Sequence, residues 1–136
     1  MSEKEIMNSI LEALELRYPG AFDRVNNIPS FDHIRKQFRS LSKYQRKGSS
    51  DITGCVSSRA IYIEVKTPIT IKDVEKVIKK IDSGIELLAS EKHLANQVKY
   101  LRDKEKNGGY CFFTCNVEHT INKIEELCKL SVLIQN

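Results

Sequence analysis

The sequence predicts an α/β fold in which a central mixed sheet is flanked by helices. Two apolar segments, IYIEVK at 61–66 and YCFFTC at 110–115, are short and bounded by turn residues, as strands are. Helical apolar periodicity precedes, separates and follows them. The strand that carries Glu64 is expected to be central. We expect residues 1–136 to form a single domain that buries about two-thirds of its unfolded surface.

The first predicted helix runs from Ser2 to about Arg17. Ser2 is a typical N-cap, and apolar side chains recur at four-residue steps, namely Ile6, Ile10 and Leu14. Glu3 falls on the same side as these residues, at the inward rim of the helix, where an acid could join a metal site. A solvated acid favoured by the helix dipole is the alternative.

A strongly basic run follows the helix break at 18–20 and an irregular or edge-strand segment at 24–33. The net charge of the chain is only +4, but one stretch contains six basic side chains and no acid: Arg35, Lys36, Arg39, Lys43, Arg46 and Lys47. Phe38 and Tyr44 lie among them. This pattern is typical of a surface that binds the DNA backbone, although a solvated loop or helix face would have a similar composition.

The segment 47–68, KGSSDITGCVSSRAIYIEVKTP, contains the main candidates for chemistry. Asp51 follows a Gly-Ser turn, and the next strand carries Glu64 and Lys66 on one face, about 6.6 Å apart at the backbone. The opposite face of that strand is apolar. Because a charged group on a buried strand is costly unless it is paired, we expect these side chains to meet a partner. A simple salt-bridged pair on an exposed strand is the alternative.

The remaining segments are predicted to cover the sheet, and the alternative for the first of them is a dimer contact or a lid beside the groove. One helix is expected from about Ile71 to Leu88, bent at Gly84, with an apolar stripe of Val74, Ile78, Ile81, Ile85 and Leu88. Another is expected from Ser90 to Lys106, with Gln97 on its inward face. That amide could orient water or a phosphate near Lys66, satisfy a backbone group, or face solvent. The 110–115 strand is expected to be buried on both faces, and a final helix to span about 116–130.

Other classes of function have little support in the sequence. Cys111 and Cys115 would be about 13 Å apart on a strand, too far to bind one zinc ion, so we expect the four cysteines to be buried, reduced thiols. The three histidines lack triad or zinc partners, and there is no P-loop motif. No apolar run approaches the ~20 residues of a membrane span, and the N-terminus lacks a signal-peptide pattern. The expectation is a soluble, cytoplasmic protein.

The pattern D-x12-E-x-K at 51–66 resembles the active site of the PD-(D/E)XK nuclease superfamily. Further features resemble one branch of this superfamily, the virus-type replication-repair nucleases (VRR-NUC). These features are Gly48, the hairpin into IYIEVK, Gln97 with Tyr100 and Leu101, and Gly108 with Gly109 before an apolar strand. The resemblance covers most of the chain. Ser50 stands where that family usually has proline, and the stretch at about 70–92 is longer than the family leads us to expect, which indicates a helical addition.

The resemblance implies a restriction-endonuclease-like fold and a metal-dependent DNA endonuclease. Asp51, Glu64 and the carbonyl of Val65 would form an oxygen-only site suited to Mg²⁺, with Mn²⁺ as a substitute. Lys66 would stabilise the hydroxide or the developing charge on the phosphate, and Gln97 would complete the catalytic set. A first-helix glutamate in related nucleases makes Glu3 a further candidate metal ligand.

The resemblance also implies a substrate and an assembly. Small members of this branch are expected to act as homodimers on Holliday junctions or other branched DNA. Arg24 and Asn26 lie where the family approaches nucleic acid, although turn chemistry explains Asn26 equally well. Two other functions stay open, a nucleic-acid-binding module without turnover and a nuclease of restriction or RNA-processing type.

Overall fold

The computed structural model describes residues 1–25, 31–32, 34–38 and 50–135. The helices are α1 (Glu3–Arg17), α2 (Pro68–Asp82), α3 (Lys92–Lys106) and α4 (Val117–Gln135), with a 3-10 turn at Ala89–Glu91 before α3. The strands are β1 (Phe22–Arg24), β2 (Phe31–Asp32), β3 (Gln37–Phe38), β4 (Ile52–Val56), β5 (Arg59–Val65) and β6 (Tyr110–Thr114).

The main sheet has four strands in the order β1-β4-β5-β6. β1 and β4 are antiparallel, β4 and β5 are antiparallel, and β5 and β6 are parallel, so the sheet is mixed. β2 and β3 form a separate antiparallel pair. The α/β class, the mixed sheet and the interior position of the strand that carries Glu64 are confirmed.

One face of the sheet packs on α1 and α4. Ile61, Ile63 and Val65 of β5 are fully buried there, as the alternation of side chains in a strand predicts. The helices contribute apolar side chains to the same cluster, namely Ile6, Met7, Ile10 and Leu14 from α1 and Ile121, Ile124 and Leu127 from α4. Ser2 caps α1 as predicted: its hydroxyl accepts a hydrogen bond from the Glu5 N–H, and its backbone N–H donates to the Glu5 carboxylate in a capping box.

The opposite face of β5 carries Tyr62, Glu64 and Lys66 and is covered by α3. Tyr62 packs edge-on against Tyr100 of α3, with 6.2 Å between the ring centroids. The buried apolar residues on α2 and α3 are fewer than those under α1 and α4, and they are Val74, Val77, Val98 and Leu101. The sheet therefore has a large apolar layer on one face and a smaller layer, interrupted by charged groups, on the other.

A two-residue turn joins β4 to β5. Ser57 and Ser58 both adopt positive φ, 53° and 63°, which is the geometry of a type I′ turn. This turn type matches the twist of the flanking strands, and it fixes which residues of the two strands face each other.

The predicted helix at 71–88 differs from the structure at both ends. α2 begins at Pro68, because proline suits the first helical position and Thr67 caps the helix by accepting a bond from the Thr70 N–H. It ends at Asp82, because Gly84 takes a positive φ of 69° and closes a Schellman motif. Ile85 and Leu88 are therefore 57% and 62% exposed, and their predicted place on a buried stripe was wrong.

The burial of β6 and of the four cysteines also differs from the prediction. β6 is the edge strand of the sheet. Phe112 on one face is buried, but Cys111 and Phe113 on the other face are only partly buried. The prediction that both faces of this strand are buried was therefore wrong. All four cysteines are free thiols, but the prediction that they are buried was wrong, because Cys55 is exposed and the other three are only partly buried. Among the described residues, every helix is too short or too polar to cross a bilayer.

Candidate active site

The hairpin of β4 and β5 brings Asp51 and Glu64 together. Ile52 pairs with Ile63, and continuing that register by one residue sets Asp51 opposite Glu64. The spacing of the two acids follows from the hairpin, since the two-residue turn at 57–58 lies midway between them. A shift of one residue would turn Asp51 to the opposite face, so the turn determines whether the two acids meet.

The backbone of β5 and the amide of Gln97 orient these two carboxylates. Asp51 accepts a 2.8 Å hydrogen bond at Oδ2 from the backbone N–H of Val65. Glu64 accepts a 2.7 Å hydrogen bond at Oε1 from Nε2 of Gln97. Nζ of Lys66 lies 3.6 Å from the same Oε1. Glu64, Lys66 and Gln97 are all buried, so the alternative of a solvated surface pair is excluded.

The pKa of Glu64 is raised to about 9, well above its ordinary value of 4.5, and burial is the largest cause. The negative charge of the neighbouring Asp51 contributes to the same increase. Lys66 acts in the opposite direction, and the more remote Glu3 raises the pKa slightly. The charge of Lys66 alone is therefore too little to keep the buried Glu64 ionised at neutral pH.

Two buried oxygens at this position fit a cation. Oε2 of Glu64 and Oε1 of Gln97 have no hydrogen-bond partner among the described residues. Carboxylate and carbonyl oxygens are the ligands that Mg²⁺ prefers, and Mg²⁺ commonly takes only one or two carboxylates and keeps several waters. Asp51, Glu64 and the carbonyl of Val65 thus form a chemically suitable donor set. A divalent ion would also offset the repulsion that raises the pKa of Glu64.

Glu3 is the outlying member of the predicted metal set. It is the first residue of α1 and is partly buried. Within the described residues, no three His, Cys, Asp or Glu side chains are arranged to hold a metal ion together. The charge of Glu3 still acts on Glu64, so its role as a metal ligand stays a prediction.

The predicted DNA-binding residues are only partly within the described chain. Arg24 is exposed at the end of the edge strand β1, and Arg35 is exposed in the turn between β2 and β3. The other candidates, Asn26, Arg39, Lys43, Arg46 and Lys47, lie outside the described residues.

A polar cluster that was not predicted from the sequence lies beside Lys66, where β6 ends. The backbone N–H of Lys66 donates to the carbonyl of Thr114, at 2.8 Å. Oγ1 of Thr114 lies 3.0 Å from Nδ1 of His119 and 2.9 Å from Oγ1 of Thr120. A polar residue at the end of an apolar strand, followed by Asn116 as the cap of α4, is the signal that could have identified it.

Ser50 also differs from its neighbours. It is buried, yet its hydroxyl finds no partner among the described residues. It precedes Asp51, at the position where the resembled family usually has proline. Within the described part of the chain, this hydroxyl makes no hydrogen bond that would offset its burial.

Comparisons of this chain with models of known protein families and with curated proteins found no match. The resemblance to the PD-(D/E)XK nucleases therefore depends on the residues described above.

Proposed function

We propose that this protein is a Mg²⁺-dependent DNA endonuclease that hydrolyses phosphodiester bonds in branched DNA. The observation that carries the proposal is the pairing of two acids, Asp51 and buried Glu64, with a buried lysine. Two ionised carboxylates beside one ammonium would leave a net charge of −1 in a poorly solvated site, so the metal-free Glu64 keeps its proton and a cation would favour its ionised form. Perturbed titratable groups of this kind are concentrated at functional sites.

Each side chain has a distinct role in this proposal. Asp51, Glu64 and the carbonyl of Val65 would hold the ion, and Mg²⁺ supplies Lewis-acid stabilisation of a phosphate and lowers the pKa of a bound water. Lys66 directs its ammonium group toward the same site and stabilises negative charge that develops on the phosphate. Gln97 holds the Glu64 carboxylate in one orientation through its 2.7 Å hydrogen bond.

The fold is compatible with the nuclease interpretation. A central mixed sheet with helices on both faces is what the PD-(D/E)XK resemblance leads us to expect, and the acid, the E-x-K strand and the glutamine of the motif meet at one point. In this interpretation residues 1–136 are one VRR-NUC-like domain. α2 and the turn after it, within 70–92, are the helical addition.

Branched DNA and a homodimer are the substrate and assembly that we propose. A two-fold dimer presents two identical sites to two strands, which suits symmetric cleavage of a four-way junction. The exposed Arg24 and Arg35 are the described residues that we propose to contact the DNA backbone. Light scattering of the protein with and without junction DNA measures the assembly.

The decisive experiment compares four labelled substrates, namely linear duplex, four-way junction, flap and RNA, with Mg²⁺, with Mn²⁺ and with a chelator. We expect nicking of the junction only when a divalent ion is present. Asp51→Asn and Lys66→Met should each reduce the cleavage rate by at least ~100-fold. Their matched controls are Asp73→Asn and Lys72→Met, two exposed positions on α2.

The outcomes separate the candidate functions. Cleavage that is equally fast in the Asp51 and Lys66 variants would refute the assigned roles. Salt-dependent binding of DNA without cleavage under any metal condition would instead indicate a non-catalytic binding module. Preferred cleavage of linear duplex or RNA would indicate the restriction or RNA-processing type of nuclease.

A further inference from the structure

A cleft of about 310 Å³ lies between α2 and the end of β6. Side chains of α2 form one wall, and the end of β6 with the first turn of α4 forms the other. The residues that define its chemistry are Ile71, Val74 and Ile78 on α2, with Phe113, Cys115 and His119 opposite. Its volume is at the lower end of the range for small-molecule sites.

The cleft adjoins the candidate active site through the register of the sheet. Phe113 of β6 is the parallel partner of Glu64 on β5, so the two residues are on neighbouring strands about 4.8 Å apart. Thr114, which also lines the cleft, accepts the 2.8 Å hydrogen bond from the backbone of Lys66. A group in the cleft would therefore lie one strand away from Glu64 and two strands away from Asp51.

The lining combines apolar walls with a polar rim. Aliphatic side chains of α2 face the partly buried ring of Phe113, while Glu75, Asn116 and His119 lie at the edge. The His119 ring is held in place by the 3.0 Å contact between its Nδ1 and Oγ1 of Thr114, and by edge-on packing against Phe112, at 6.0 Å between centroids. The lining thus suits a group that is apolar on its faces and polar at its edge.

The charge of the lining argues against a phosphate in the cleft. None of the described residues that line it is a lysine or an arginine, and Glu75 would repel an anion. A nucleobase meets the requirements, because it is flat, has π-faces that stack on aromatic and apolar side chains, and has hydrogen-bonding groups around its edge.

We propose that this cleft accepts an unstacked nucleobase of the DNA strand whose phosphate lies at the acid pair. The proposal rests on the nuclease function and deepens it, since it names a source of substrate selectivity. A base in a continuous duplex must break its stacking and pairing to enter the cleft, whereas a base next to a branch has already lost part of both. The cleft thereby favours branched DNA over linear duplex.

The test uses junctions that carry the fluorescent base 2-aminopurine at single positions on either side of the branch. Binding is measured with Ca²⁺, so that affinity and cleavage are separate readouts, and the chain contains no tryptophan to interfere. We expect the fluorescence of one flanking base to rise several-fold on binding, because unstacking relieves its quenching. Ile78→Phe, which fills the cleft, should abolish this rise and weaken junction binding about tenfold.

The matched control is Ile85→Phe, which adds the same ring at an exposed position after α2 and should leave the fluorescence and the affinity unchanged. A second measurement changes the DNA instead of the protein. An abasic site at the responsive position should weaken binding of the wild-type protein by about the same factor, and Ile78→Phe should then have no further effect. Thermal unfolding establishes that both variants fold.

Unchanged junction affinity and fluorescence in Ile78→Phe, together with no penalty for the abasic site, would overturn the cleft proposal even if nicking persists. A change in oligomeric state without a change in base fluorescence would also overturn it, because the cleft would then bind a second copy of the chain. A fluorescence response that Ile78→Phe removes, in a protein that never cleaves, would support the cleft and refute the nuclease function.

Discussion

The amide of Gln97 on α3 donates a 2.7 Å hydrogen bond to the carboxylate of Glu64 on β5. Both side chains are buried, with 5% and 1% of their surface exposed. The amide supplies a donor but no positive charge, so it orients Glu64 without neutralising it. Lys66 is the nearby cation, and it lies at 3.6 Å. The metal-free Glu64 therefore keeps its proton up to about pH 9, and in the proposed site a divalent ion would displace that proton, whereas a second lysine would neutralise the carboxylate.

Gln97→Leu is expected to weaken Mg²⁺ and Mn²⁺ binding by about 10–100-fold, because Glu64 loses the donor that fixes its orientation. Isothermal titration of the metal-free protein measures the affinity. Asn96→Leu, on the exposed side of the same helix, is the control and should bind metal normally. Equal affinities for the two variants would show that Gln97 has no orienting role.

The raised pKa of Glu64 predicts how stability depends on pH in the metal-free protein. Below about pH 4.5 the carboxyl is protonated in both the folded and unfolded chains. Between 4.5 and about 9 the unfolded chain releases this proton while the folded protein retains it, so the free energy of unfolding falls as pH rises. Glu64→Gln, which stays neutral, should remove that part of the pH dependence. Urea denaturation in the presence of a chelator, across this window, gives the comparison.

The exposed Glu12→Gln is the control and should keep the wild-type pH dependence. Mg²⁺ competes with the proton on Glu64, so the stabilisation by Mg²⁺ should grow with pH in the wild type and be small in Glu64→Gln. A wild-type curve that runs parallel to that of Glu64→Gln would contradict the buried, protonated carboxyl.

Asp51→Asn should stabilise the metal-free protein above about pH 9, where Glu64 ionises, and should impair metal binding. An asparagine oxygen can still accept the hydrogen bond from the Val65 N–H, but the repulsion between the two ionised acids is gone. Removal of a neighbouring like charge is worth on the order of 1–4 kcal/mol. With a chelator we expect a higher midpoint of urea denaturation above about pH 9 and little change at neutral pH, and with Mg²⁺ a loss of the metal-dependent increase in Tm. Asp73→Asn should change neither quantity, and a less stable Asp51→Asn protein would argue against the repulsion.

Most of the site could be predicted because strand geometry is regular. Alternation along β5 assigned Glu64 and Lys66 to one face and Ile61, Ile63 and Val65 to the other, and the structure has this pattern. Helical periodicity likewise predicted an inward Gln97. The partner of that amide could not be predicted, because the contact joins residues 33 positions apart and depends on how α3 lies on the sheet.

The errors arose where a local conformation competes with a repeating pattern. Ile85 and Leu88 continue the apolar stripe of α2 in the sequence, but the left-handed conformation of Gly84 ends the helix before either residue. Val77, which is buried, lies off the predicted stripe, because α2 packs on α3 as well as facing the sheet. An apolar pattern in the sequence can therefore continue beyond the residue at which the helix ends.

The turn formed by Ser57 and Ser58 between β4 and β5 predicts how two changes of its sequence affect the protein. A type I′ turn favours Asn-Gly, and a residue other than glycine in the left-handed region costs on the order of 1 kcal/mol. Replacing Ser57 and Ser58 by Asn and Gly should therefore raise the free energy of unfolding by about 1 kcal/mol, measured in urea, and leave cleavage unchanged.

Insertion of one glycine between Ser57 and Ser58 is the opposite test of the same turn. It lengthens the loop by one residue, so the strands must either form a bulge or slip, and a slip of one residue turns Asp51 away from Glu64. Metal binding and cleavage should then be lost although the protein stays folded by circular dichroism. Retention of both activities would show that the register of this hairpin does not determine the meeting of the two acids.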